Sequence, residues 1–128
     1  LGHAVRQGLF AAIEQAEADD SVKAVVIACE GQTFFAGADV SEFGTPKAFA
    51  EPMLPQVVDR IEACTKPVVA AINGFCLAGG AELIQATDIR IAAEHATFAL
   101  TEVKWSLMPF AGSTFEISLR NASRKKRW

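Results

Sequence analysis

Two glutamates in mostly apolar surroundings, Glu82 and Glu102, are the side chains in this sequence best suited to acid–base chemistry. Glu82 lies in the segment GFCLAGGAELIQATD, and Glu102 follows it in LTEVKW. Two carboxylates that meet in one apolar site can divide the roles of general acid and general base between them. The first question about the fold is therefore whether it brings these two side chains together.

Each glutamate also has a purely structural interpretation. The pair of glycines ahead of Glu82 allows a sharp backbone turn into a helix, where an acid in the first turn complements the helix dipole. Glu102 is equally compatible with an exposed ion pair to Lys104 or Arg90. Both interpretations stay open, because the residue pattern alone does not show that the two carboxylates meet.

Two short segments rich in glycine and alanine are candidates for backbone catalysis: FAGAD at Phe35 to Asp39, and LAGGAE at Leu77 to Glu82. Each follows a predicted buried strand. Two backbone N–H groups that converge on one point form an oxyanion hole, and one such donor stabilises a transition state by about 3–4 kcal/mol. Small side chains suit this use because bulky ones would keep a substrate away from the backbone. Taken singly, each segment is also ordinary turn chemistry.

The elements expected to position these residues alternate between helix and strand. Apolar residues repeat at helical spacing near the start of the chain, and short β-branched runs predict buried strands at 22–29 and 66–72. A loop is predicted at 34–43, followed by a helical region at 46–64 with Val57, Val58 and Ile61 facing inward. A helix that holds Glu82 is predicted after the NG turn, and two short strands are predicted in IRIAA and TFAL. The first helix is expected to turn Val5, Leu9, Ile13 and Ala16 inward. This order predicts an α/β fold with right-handed crossovers.

The overall composition is that of one soluble globular domain. The chain has 128 residues, 51% of them hydrophobic, and a net charge of −3, which argues against a nucleic-acid-binding protein. No apolar run is long enough to span a membrane. The three cysteines form neither a CxxC pair nor a disulfide ladder, so reduced thiols and a cytoplasmic location are expected.

Other conspicuous side chains are given structural roles. His3 and His95 have no serine or cysteine partner at a recognisable junction and are predicted to lie on the surface. Asp39 is predicted to fix its loop through a hydrogen bond from its carboxylate to the backbone. Trp105 is predicted to contribute packing.

Four blocks of the sequence together resemble a known family. These are FFAGADVSEF, KPVVAAINGFCLAGGAEL, TDIRIAAEHATFALTEV and MPFAGST, whose order and spacing are similar to the crotonase, or enoyl-CoA hydratase/isomerase, superfamily. The resemblance extends from the start of the chain to about Thr114. It implies a crotonase-like ββα spiral core, and it implies an acyl-CoA thioester as the binding partner.

The resemblance also implies roles for individual residues. Ala38 and Gly79 fill the two oxyanion-hole positions, while Glu82 and Glu102 fill the two acidic positions of hydratases. Ala36 and Val40, with Ala38 and Gly79, are expected to bind the coenzyme A substrate. The implied reaction is syn addition of water to a 2-enoyl-CoA, as in fatty-acid β-oxidation, with no metal or redox cofactor.

Family members extend further at both ends, so the resemblance predicts a core at 1–114 without the C-terminal helical domain, followed by a divergent basic tail at 115–128. In place of the usual PGAGG-like loop this chain has PFAGS, and Ser106 stands where a glycine is common. Without those helices, apolar faces around Phe98, Leu100, Val103, Trp105 and Leu107 are expected to stay uncovered and to drive formation of a homo-oligomer.

Three alternatives to hydration remain. Double-bond isomerisation and thioester hydrolysis use the same oxyanion hole, and isomerases of the family keep an acid at the second position only. A core that binds acyl-CoA or assembles with itself, without turnover, is the third alternative. The acyl-chain preference is expected to depend on the segment 44–56.

Overall fold

The computed structural model describes residues 1–111, which form a mixed α/β fold. The helices are α1 (His3–Ala18), α2 (Leu54–Glu62) and α3 (Gly79–Gln85). The strands are β1 (Val25–Ala28), β2 (Thr33–Phe35), β3 (Val68–Ile72), β4 (Phe75–Leu77), β5 (Ile89–Ala92) and β6 (Thr97–Ala99). Short 3-10 turns occur at Val40–Glu42, Pro46–Phe49 and Thr101–Trp105.

The strands form two parallel sheets of three strands each. The first sheet has the order β1-β3-β5, with Val25 opposite Val68 and Val69 opposite Ile89. The second sheet has the order β2-β4-β6. Consecutive strands therefore alternate between the sheets, and a helix or turn follows each pair, which is the predicted ββα spiral. The prediction of an α/β fold is confirmed.

The hydrophobic core forms where α2 packs between α1 and α3, and α3 packs against β2 and β4. Val57, Val58 and Ile61 of α2 are buried, as the sequence predicts. Strand β3 alternates between buried and half-buried residues, so one face of the first sheet supplies the core. Cys76 on β4 is fully buried, and burial raises the pKa of its thiol to about 11. Its thiol therefore stays protonated and packs in the core as a small apolar side chain.

Two strands depart from the sequence prediction. The sequence predicts a loop at Phe34 and Phe35 and a helix directly after the NG turn, but β2 and β4 occupy these stretches. Each is three residues long. Strands of this length show too few alternations to give a periodic signal, and they form here because each pairs with a strand from a distant part of the sequence.

The predicted burial is also wrong in two elements. Strand β1 is not buried on both faces, because Val26 is 63% exposed. On α1, Ile13 is buried as predicted, but Val5 is 44% exposed and the neighbouring Arg6 is buried instead. The first turn of α1 therefore directs Arg6, whose guanidinium is hydrogen-bonded to backbone carbonyl groups, into the interior in place of Val5.

Most of the apolar residues expected to be uncovered are exposed. Phe98, Val103, Trp105 and Leu107 are exposed, whereas Leu100 is half-buried. Formation of a homo-oligomer stays a prediction, as does the cytoplasmic location. The predicted tail at 115–128 lies outside the described residues. No helix within residues 1–111 has the length and apolar character needed to cross a membrane.

Candidate active site

The junction between β4 and α3 is built from a turn that a side chain would disrupt. Ala78 has a positive φ of 49° and donates its N–H to Ala99 O on β6 at 2.8 Å. Gly79 is the first residue of α3, so its N–H has no acceptor within the helix. At Gly80, an added Cβ would lie 2.7 Å from both Cβ and O of Phe35. Glycine at this position lets α3 lie directly against β2.

The junction after β2 lies close to the junction between β4 and α3. Gly37 has a φ of +99°, and a Cβ built there would lie 3.0 Å from the Cβ of Ala78. The carboxylate of Asp39 accepts hydrogen bonds from the Ser41 hydroxyl at 2.6 Å and the Ser41 N–H at 3.0 Å. These bonds hold the pKa of Asp39 below its usual value. Asp39 thus makes the side-chain to backbone bond that the sequence predicts.

The two predicted acidic residues differ in their surroundings. Glu82 is 2% exposed, and its Oε1 accepts the N–H of Ala111 at 2.8 Å, which orients the carboxylate. Glu102 is half-buried at the start of a 3-10 turn. Its Oε2 is buried and has no hydrogen-bond donor within residues 1–111. Buried polar atoms in proteins are nearly always hydrogen-bonded, so an unpartnered carboxylate oxygen is unusual and marks Glu102 as a candidate functional residue.

The exposed ion pair that is the structural interpretation of Glu102 is not observed in the described residues. Within the described part of the chain, neither Lys104 nor Arg90 forms an ion pair with Glu102. Arg90 instead donates to the carbonyl oxygens of Ile84 at 3.2 Å and Thr87 at 2.7 Å. The ion pair that the structural interpretation expects for Glu102 is therefore absent from the described residues.

One cavity of about 540 Å³ brings the predicted site residues together. All six of them line it: Ala36, Ala38, Val40, Gly79, Glu82 and Glu102. Residues from both glycine-rich junctions and from the turn after β6 thus share one space. The arrangement places small residues of both junctions around the same space as Glu82 and Glu102.

The cavity wall also includes residues for which the sequence predicts no role in the site. Arg6 lines it, and the only signal for this in the sequence is a cation beside the apolar stripe of α1. The sequence predicts a packing role for Trp105, but this side chain is 71% exposed and forms part of the cavity wall. The structure leaves its outer side uncovered, so it serves as wall and not as core. His95 is exposed, as predicted, whereas His3 is half-buried.

Ser106 shows why its position favours glycine. It ends the turn that carries Glu102 and adopts left-handed backbone, with φ 55° and ψ 30°. Glycine adopts this conformation without steric cost. The serine therefore retains the turn geometry at some expense in backbone strain.

Comparison with known proteins identifies the family. The family model described as enoyl-CoA hydratase/isomerase matches residues 1–125. The chain belongs to this family. The match continues past Thr114, where the recognisable motifs end, and the crotonase resemblance of the sequence is confirmed.

Individual relatives agree with this assignment. The chain is 40% identical over 119 residues to a "Probable enoyl-CoA hydratase" of Bacillus subtilis, an alignment covering 88% of this chain and 46% of the relative. It is 44% identical over 114 residues to a "Peroxisomal bifunctional enzyme" of Danio rerio, covering 89% of this chain and 16% of that protein. A crystal structure of an enoyl-CoA hydratase from Bacillus anthracis superposes with a TM-score of 0.84 at 33% identity, covering 93% of this chain and 48% of the other. The chain therefore spans about half the length of these two hydratases from Bacillus species.

Proposed function

We propose that this chain carries the active site of an enoyl-CoA hydratase, which adds water across the double bond of a 2-enoyl-CoA thioester. The observation that carries the proposal is that Glu82 and Glu102 line the same cavity as the two glycine-rich junctions. The family membership and the hydratase names of relatives such as the B. subtilis protein support it.

The proposed oxyanion hole consists of the N–H groups of Ala38 and Gly79. As the hydroxyl group attacks the β-carbon, negative charge gathers on the thioester oxygen, and two backbone donors would stabilise the resulting enolate. Contact between Gly37 and Ala78, one residue before each donor, supports a shared site. The N–H of Gly79, which has no acceptor within its helix, supports its use as a donor.

The proposed water site lies between the two carboxylates. Glu82 accepts a proton from water as the oxygen bonds to the β-carbon, and Glu102 donates a proton to the α-carbon. A proton then passes from Glu82 to Glu102, which restores both side chains. The fixed orientation of Glu82 by the N–H of Ala111 and the position of Glu102 on the wall of the same cavity support these roles.

Substitution of each glutamate tests the proposal against isomerisation. Glu82→Gln and Glu102→Gln should each lower hydration of crotonyl-CoA by a factor of about 10² to 10⁴, because each removes a proton-transfer group. Glu94→Gln is the matched control, since Glu94 is exposed in the turn between β5 and β6. An isomerase would depend on Glu102 alone. Hydration at the wild-type rate in Glu82→Gln would show that the two-carboxylate mechanism is wrong.

A further inference from the structure

One part of the cavity wall is a short segment between the first junction and α2. The segment from Pro46 to Met53 contributes Ala48, Phe49 and Met53 to the wall, and its only regular structure is the 3-10 turn at Pro46–Phe49. Phe49 is 76% exposed, so burial of this side chain does little to fix the segment. Other contacts must therefore hold this part of the wall in place.

Side chains of α1 contact the backbone carbonyl groups of this segment. Arg6 donates hydrogen bonds to three of them: Pro52 O from Nε at 2.9 Å, and Lys47 O and Ala50 O from Nη2 at 3.0 Å and 3.2 Å. Nε2 of His3 lies 2.9 Å from a fourth, Glu51 O. The segment is thus attached to the first turn of α1 mainly through one guanidinium.

Arg6 also contacts the turn that follows the first junction. Its Nη1 lies 3.7 Å from Oε2 of Glu42 and donates to Leu1 O at 3.1 Å. Both carboxylate oxygens of Glu42 lie 2.9 Å from the backbone nitrogen of His3. Val40, in the same 3-10 turn as Glu42, lines the cavity. One guanidinium therefore connects two parts of the cavity wall, at 40–42 and 47–52, to the same end of α1.

The burial of Arg6 shows how strongly this arrangement is constrained. The residue is 6% exposed, and a buried guanidinium is tolerated only where acceptors and an opposite charge compensate for the lost water. Its planar fork of N–H groups fixes the directions in which those acceptors lie. The carbonyl groups of the segment 47–52 are therefore held in one arrangement, although Phe49 within it is exposed.

We propose that Arg6 is a positioning residue for thioester binding, because it holds the wall at 40–42 and 47–52 in the arrangement that accepts the acyl-CoA. The inference rests on the proposed function, since the ligand is the substrate of that same site. Arg6 acts through the carbonyl groups that it binds and transfers no proton. Loss of its guanidinium should therefore weaken binding while Glu82 and Glu102 keep their places.

Substitution by methionine tests this role in binding and in turnover. Arg6→Met should raise the dissociation constant of butyryl-CoA, a saturated thioester, by a factor of about 10, and KM for crotonyl-CoA similarly, with kcat lowered less than about threefold. Calorimetric titration and initial rates measure these effects below the onset of thermal unfolding of the variant. An unchanged dissociation constant, or a loss of kcat with unchanged KM, would overturn the inference.

Lys66→Met is the matched control for general destabilisation of α1. The Nζ of Lys66 donates to Ala16 O at 2.6 Å and to Asp19 O, at the opposite end of the helix from Arg6, and Lys66 does not line the cavity. This variant should unfold more easily than the wild type and bind butyryl-CoA with an unchanged dissociation constant. An equal rise in both variants would mean that lost stability alone weakens binding, and would contradict the inference.

Arg6→Lys separates position from charge and disturbs folding less than Arg6→Met. Lysine keeps the positive charge beside Glu42 but lacks the planar fork that reaches Pro52 O and Lys47 O together. Butyryl-CoA should therefore bind Arg6→Lys several-fold more weakly than the wild type. Wild-type affinity in Arg6→Lys would show that the charge alone suffices and would overturn the inference, even if Arg6→Met does not fold.

The outcomes separate this inference from the proposed function. Thioester binding that depends on Arg6, in a chain that does not hydrate crotonyl-CoA, would support this inference and contradict the hydratase proposal. Hydration together with binding that Arg6→Met leaves unchanged would contradict this inference alone. Failure of the wild type to bind butyryl-CoA would overturn both.

Discussion

The two glycine-rich junctions have similar sequences, but the structure holds them in place by different means. In the junction at Leu77 to Glu82, the last four residues are buried, and α3 lies against β2 with no room for a Cβ at Gly80. In the junction at Phe35 to Asp39, only Gly37 is buried, and the loop is held by the side chain of Asp39. Packing fixes one junction, and local hydrogen bonds fix the other.

This difference shows that small residues serve two physical purposes in one site. At Gly80 the absence of a side chain permits close packing of a helix on a strand. At Ala36 and Ala38, both exposed, small size keeps the backbone accessible to the cavity. Substitutions at the first kind of position should damage stability, and those at the second kind should act mainly on binding.

The largest effect is expected at the packed junction. Gly80→Ala should lower the free energy of unfolding by about 1–3 kcal/mol, because its Cβ would overlap the backbone of Phe35. Gly8→Ala is the matched control, since Gly8 lies in α1 with nothing within 4 Å of an added Cβ. This control should be stabilised by about 0.5–1 kcal/mol. Urea unfolding of both variants measures the contrast, and equal stability of the two would show that α3 does not depend on this close approach.

An intermediate effect is expected where the junctions touch. Gly37→Ala should cost about 1–2 kcal/mol of unfolding free energy, from positive φ and from contact with Ala78. Gly31→Ala has the same type of strain, at a φ of +83°, but its added Cβ meets nothing within 4 Å, and Gly31 does not line the cavity. We expect a greater loss of unfolding free energy in Gly37→Ala than in the control, and a loss of crotonyl-CoA hydration in Gly37→Ala alone. The difference between the variants would report the contribution of the contact with Ala78. If thermal unfolding and activity changed equally in both variants, the contact between junctions would carry no weight.

The smallest effect is expected at Asp39, and it depends on pH. Hydrogen bonds from Ser41 keep the folded-state pKa of Asp39 below the ordinary value of 3.8. The stabilisation is therefore fully present above pH 3.8 and is lost as the pH falls through the lower, folded-state pKa. Asp39→Asn should melt slightly below the wild type at pH 6, and the gap should close in acid. A gap that persisted unchanged below this range would argue against the ionised carboxylate as its cause.

The parts of the fold that the sequence predicts are those with a local signal. Helix α1, strand β3 and the inner face of α2 each repeat apolar residues over enough positions to define a period. Strands β2 and β4 have no such signal, because their pairing partners lie far away in the sequence. The same limit explains why the burial of Arg6 could not be predicted. Three of its four hydrogen bonds go to carbonyl groups that lie more than forty residues away in the sequence.

The candidate site follows the same division. The residue types and spacing indicate two carboxylates and two small-residue loops, but they leave open whether these meet. The family resemblance supplies the expected neighbours, and all six predicted residues line one cavity. The apolar wall around Phe49 and Trp105 could not be predicted. The residue type of an aromatic side chain does not show whether it packs in the core, binds a ligand or contacts another subunit.

The alternation of strands between two sheets has a consequence for how the chain reaches its folded state. Strand β2 lies in sequence between β1 and its partner β3, and β3 lies between β2 and its partner β4. Each ladder therefore closes a loop that contains a strand of the other sheet, so neither sheet can be completed as an autonomous unit. Non-local parallel pairings of this kind raise the contact order and slow folding. A backbone cleavage in the middle of the described chain would separate partners in both sheets at once, and neither fragment would retain a whole one.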